Sequence, residues 1–182
     1  MLRMLPVFIL VLVGFVFAAT VHAAQNPTSI AVVDVQALLT KSEAAISIEK
    51  QIDEYKERFV GEIAKQEQEL RDMEKELGEQ RSKLGKDEFA SKAKAFEEKL
   101  IETRKLAEKK RRAFDEASAK ALDTLRETLY GVVQELAREK GFTLVISKQN
   151  VILGEQSIDL TDETMTMLNK KVSSITLDIA DK

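Results

Sequence analysis

Carboxylates are the only reactive side chains this sequence carries in number. Its 182 residues include 31 Asp and Glu, a single histidine, His22, and no cysteine or tryptophan. Disulfides, thiol catalysis and the usual zinc ligand sets are therefore excluded, and the commonest general base is nearly so. Carboxylates can do acid–base work, but only as a group held in a pocket with mutual geometry and displaced pKa values. Here they alternate with basic residues along helical faces, as in Glu54–Arg58 and Glu67–Arg71. Such i,i+4 pairs mark a solvated helix surface. No catalytic residue, metal ligand or cofactor-binding residue is assigned, and no nucleotide motif is present. The chain is read as not an enzyme. A net charge of −3 gives no footprint for nucleic acid.

His22 itself belongs to an address. Arg3 supplies a positive start, Leu5 to Ala19 is an apolar run, and Val21-His22-Ala23 ends on small residues suited to a signal peptidase. The run is short for a membrane span, which needs ~20 residues. A signal-anchor is the alternative to cleavage. Without cysteine, a lipoprotein anchor is excluded. Residues 1–23 are read as a signal peptide, with export to an envelope or extracellular space. Loss of Arg3 takes the net charge of the mature chain to −4.

The charged faces need helices to carry them. Residues 42–140 contain no proline, and apolar residues recur there every three or four positions around Gly85. The first arm carries Ile48, Ile52, Tyr55, Phe59, Ile63, Leu70, Met73 and Leu77; the second runs from Phe89 through Phe96, Phe114, Leu125 and Leu136. Arms of roughly 43 and 54 residues would span about 65 and 80 Å. Folding at Gly85 sets Leu77 near Ala93, Ile63 near Ala107 and Ile48 near Ala121, so large residues meet small ones. Thr40-Lys41-Ser42-Glu43 fits a capping box for the first arm, and Asp87 an N-cap for the second. Lys140-Gly141 closes it with a glycine at C′. Gly61 and Gly78 should loosen the first arm.

Short β-rich runs flank the hairpin. Ile30 to Val35 and Phe142 to Ile146 read as strands, and Val151-Ile152-Leu153-Gly154 as a third after the polar turn Lys148-Gln149-Asn150. A final helix starts with Thr161 as cap and carries Met165, Leu168 and Val172 on one face. Ser173 to Lys182 is an unassigned tail. A body of about sixty residues is marginal alone, which points to oligomerisation.

This order of features resembles the Skp/OmpH family of periplasmic chaperones. The residues that carry the likeness are Ile30-Ala31-Val32-Val33-Asp34-Val35-Gln36, the charged hairpin, Gly141-Phe142-Thr143-Leu144-Val145-Ile146, Val151-Ile152-Leu153 and Ile158-Asp159-Leu160-Thr161-Asp162-Glu163. It covers about residues 30–171. The resemblance implies an α+β fold: a long antiparallel helical hairpin, a coiled-coil tentacle, inserted between strands of a small β body that assembles as a homotrimer. It divides the chain into the signal peptide, 1–23, a β-rich trimerisation body, 24–41 and 141–182, and an arm, 42–140. It also implies an ATP-independent holdase that keeps unfolded outer-membrane β-barrel proteins in a cavity between arms, with room for transient contact with a membrane surface. An envelope spacer or adaptor binding one folded partner is the alternative.

Familiar members of that family are basic, whereas this mature chain is acidic. Its positive charge is concentrated locally: Arg81, Lys83 and Lys86 surround the hairpin tip, and residues 99–112 hold seven basic against two acidic side chains. Met73, Leu77, Leu84 and Phe89 lie near the tip, where few neighbours cover them. These seven tip residues are the candidate client-binding set. Apolar tip packing and ordinary solvation of the charges are the competing readings.

Overall fold

The computed structural model describes residues 28–179. The expected signal peptide, residues 1–23, lies outside them, as do residues 24–27 and the last three. The elements are β1 (Ile30–Val33), α1 (Val35–Lys41), α2 (Glu43–Gln80), α3 (Lys86–Glu139), β2 (Leu144–Ser147) and α4 (Thr161–Lys171). The fold is mostly helical, with long helices and one small strand pair.

The two strands are parallel, in register from Ile30 opposite Leu144 to Val33 opposite Ser147. Parallel neighbours need a long crossover. Here the whole α2–α3 hairpin supplies it. A lone bridge sets Val32 beside Asp159, and the Leu160 N–H donates to the Val32 carbonyl at 2.9 Å.

β1 stops two residues earlier than the β-branched run suggests. Asp34 turns the chain, and its Oδ1 accepts the Ala37 N–H at 2.9 Å to cap α1. The next cap also differs from expectation. Thr40 sits in the last turn of α1 and donates back to the Gln36 carbonyl at 2.8 Å, so its hydroxyl is committed there. The chain turns at Ser42 instead (ψ 153°), and that buried hydroxyl accepts the Ala45 N–H at 3.3 Å. The Asn169 side chain of α4 accepts the Glu43 N–H at 3.0 Å, which ties the root of the arm to the last helix.

The hairpin turns where the sequence places it. α2 ends at Gln80, and both Lys83 and Leu84 N–H groups donate to the Gln80 carbonyl. Gly85 is the N-cap of α3, without a side-chain bond, so Asp87 falls inside the first turn rather than at the cap. It still favours the positive helix end there. The expected register holds: Tyr55 stacks on Phe114 with centroids 4.6 Å apart, Lys99 pairs with Glu69 at 3.9 Å, and Lys92 with Glu76 at 3.2 Å. Lys110 pairs with Glu62. α3 ends in a Schellman motif: Gly141 has φ +76°, Phe142 N–H donates to Ala137 at 2.8 Å, and Gly141 N–H to Arg138 at 3.2 Å.

The core sits at one end of this long molecule. Leu38, Ile48, Leu125, Leu129, Val132 and Leu168 form its fully enclosed centre. The buried residues of α2 are Ala44, Ala45 and Ile48, all near its start; those of α3, apart from Thr103, lie between Ala117 and Ala137. Two further expectations are corrected. Residues 151–153 form no strand; they follow a short 3₁₀ turn, with Ile152 and Leu153 fully exposed. Among the described residues no strand is in place to pair with them. Thr161 does not cap α4 through its side chain; Leu160 is the N-cap, and the Thr161 hydroxyl accepts the Asp34 N–H at 2.9 Å.

Candidate functional site

Beyond the core the hairpin is a bare pair of helices. Across residues 49–116 and the turn between them, only Thr103 is buried. The helical rise gives this two-helix projection a length of about 45–50 Å. A pair of helices covers one stripe on each partner. A side chain on that seam is shielded from two sides, not four, and the seam residues Ile63, Leu70, Met73, Leu77 and Phe96 are accordingly half-buried.

The seven tip residues divide into two groups. Met73 and Leu77 lie on the seam below the turn, where they line a cavity of about 200 Å³ with Glu76, Lys92, Ala95 and Phe96. Lys92 closes one side by donating to Glu76 and to Gln80, at 3.2 and 2.6 Å. Leu84 in the turn and Phe89 in the first turn of α3 are also half-buried. Arg81, Lys83 and Lys86 are exposed, and among the described residues none forms an ion pair with them. The tip thus presents accessible apolar edges beside three cations.

Other exposed apolar residues escaped the sequence reading. Ile101 and Leu106 flank Lys105 and Lys109 in a shallow depression on α3, bordered by Glu98 and Glu102. Ile101 adjoins Leu100 and so falls off the seam spacing, which was the available signal. At the core end Ile30, Leu144, Ile152 and Leu153 are exposed. The first two lie opposite each other in register, and among the described residues β2 pairs only with β1, leaving its other edge open. An open edge is a template for another chain.

A cavity of about 510 Å³ lies under residues 151–156 against Val32, Lys148, Ile158, Asp159 and Thr161. Part of its polar wall is already committed. The Asp159 carboxylate takes the Lys148 ammonium at 2.7 Å and both the N–H and hydroxyl of Thr161. Burial would raise the Asp159 pKa, but these hydrogen bonds together outweigh it and hold the carboxyl below its ordinary value. The hydrogen bond to Asp159, then its charge, raises Lys148. This network ties the end of β1 to the start of α4. Among the described residues no helix is long and apolar enough to cross a membrane.

The sequence model of the outer membrane protein (OmpH-like) family matches residues 29–168. The chain belongs to the OmpH-like family. A search of curated proteins finds no match. Among solved structures, this OmpH-like chain is similar to a candidate outer membrane chaperone (OmpH-like) from Caulobacter crescentus CB15. The identity is 14% and the TM-score 0.75, over 83% of this chain and 89% of that one. At that identity the likeness concerns the fold. The OmpH-like match spans both strands and the entire hairpin, and ends within α4.

Proposed function

We propose that this chain is an ATP-independent holdase chaperone of the periplasm. It binds unfolded outer-membrane β-barrel proteins between helical arms and prevents their aggregation. In this reading residues 1–23 are a cleaved signal peptide, 24–41 and 141–182 a trimerisation body, and 42–140 the arm. The observation that carries it is the bare two-helix projection, in a chain of the OmpH-like family, whose seam is half-open from root to tip. A holdase must grip without folding its client, so many weak apolar contacts serve better than one tight pocket. The open edge of β2 and exposed Ile30, Leu144, Ile152 and Leu153 support self-association at the other end.

Grip at the tip divides into two physical parts. Charge attraction from Arg81, Lys83 and Lys86 acts at a distance and is screened over ~10 Å at 0.1 M salt. Apolar burial against Met73, Leu77, Leu84 and Phe89 is not screened. Stopped-flow capture and release of one unfolded barrel tests the division. Reversing the three cations to glutamate should slow capture at low salt, as added salt does, with a smaller change in affinity. Leu84→Ser with Phe89→Ser should instead speed release. If neither variant changes its rate, the tip is not the gripping surface.

A further inference from the structure

Beyond α4 the chain does something its family match, which ends at residue 168, does not cover. Residues 173–179 run along the root of α2. Their apolar side chains alternate: Ile175 is half-buried, Leu177 buried and Ile179 half-buried, while Thr176 and Asp178 are exposed. The backbone between them is read by one side chain. Gln51 Nε2 donates to the Ile175 carbonyl at 2.7 Å, and Gln51 Oε1 accepts the Leu177 N–H at 3.0 Å. A carboxamide placed this way offers the donor and acceptor that a neighbouring β-strand would offer. Past Leu177 the chain closes a three-residue turn, with Ile179 N–H on the Leu177 carbonyl at 3.0 Å. Leu177 and Ile179 there share a cavity of about 200 Å³ with Tyr55, Phe59 and Glu62.

These contacts recognise a class of segment rather than a sequence. Backbone bonds are indifferent to side chains, and a groove that accepts alternate apolar residues selects extended chain of period two. A transmembrane barrel strand has that pattern, with apolar residues alternating along about ten positions. We infer that the Gln51 groove at the root of the arm is a strand-binding site, occupied by the chain's own tail until an alternating apolar segment of an unfolded β-barrel displaces it. The inference rests on the holdase reading for the identity of the displacing chain. The groove's fit to its own tail does not depend on that reading.

Hydrogen exchange of the Leu177 amide in the full mature chain reads the displacement directly. The probe is a ten-residue peptide copied from a barrel strand; the control has the same composition with its apolar residues in one block. Saturating strand peptide should speed Leu177 exchange about tenfold, and the control should leave it unchanged. Removing residues after Val172 should tighten strand-peptide binding about tenfold. Gln51→Ala should free the tail without tightening binding, because it damages the groove for both occupants. Unchanged Leu177 exchange with strand peptide overturns the inference and leaves the tail a staple, whatever the truncated chain does. A chain that suppresses client aggregation with Leu177 protected throughout overturns the strap alone. A chain that releases its tail to the peptide yet leaves aggregation unsuppressed overturns the holdase reading alone.

Discussion

Thr161 joins segments 127 residues apart with one hydroxyl, which accepts the Asp34 N–H and donates to Asp159. Thr161→Val keeps the shape and removes the acceptor, leaving the Asp34 N–H without a partner in a partly enclosed site. We expect a loss of about 1–2 kcal/mol in denaturant unfolding, and little change for Thr161→Ser. Asp159 adds a pH dependence of defined sign. Its carboxyl is depressed, so its contribution is fully present above the unfolded value of ~3.9 and is lost as pH falls through the folded one. Lys148 is raised, so its share is present below ~10.4 and is lost as pH rises above that. Asp159→Asn should therefore cost about 1 kcal/mol at pH 7, and the gap from the parent in unfolding midpoints should narrow progressively as pH is lowered below ~3.9. The sequence marked Thr161 as important for a local reason, a helix cap. Its real partner is Asp34, and no local pattern reports a bond across the whole hairpin.

Helices of this length announce themselves by repetition, so the hairpin and its register were legible. The stack of Tyr55 on Phe114 and the pairing of Glu76 with Lys92 follow from folding the chain at Gly85. The elements that escaped were short ones whose partners lie elsewhere. Residues 151–153 have strand composition but, among the described residues, no strand to pair with. The tail has period two in Ile175, Leu177 and Ile179, but its partner is Gln51, 124 residues away from Ile175. The tip set was legible as a location, whereas Ile101 and Leu106 were hidden because they lie off the seam. Glycines give an element-scale test. A Cβ added at Gly61 or Gly78 meets nothing within 4 Å, so alanine fits both. Each change should stabilise the helix by about 1 kcal/mol. Together they should slow hydrogen exchange along α2 and sharpen spin-label distances between arm tips. Gly141→Ala should do the opposite and cost about 1 kcal/mol, because φ +76° suits glycine. Unchanged tip distances in the Gly61, Gly78 double variant would show that arm flexibility does not come from these glycines.

At the scale of the molecule, the chain separates cohesion from contact. Its buried apolar residues are gathered where β1, β2, α1, α4 and the roots of the arms meet, and the projecting helices carry almost none. Small folding units with exposed apolar residues and an open strand edge gain by associating. A projection whose seam is only half-covered is suited to many shallow contacts. The proposed holdase joins these halves: self-association at the core end and a client held among the arms. The most direct test is to dilute a urea-unfolded outer-membrane β-barrel into the mature protein and measure the mass of what remains soluble by light scattering. The account predicts a soluble complex of three chains with one client, formed without nucleotide. A client that aggregates as it does alone, beside a chain that scatters as a monomer or binds only a folded partner, would contradict it.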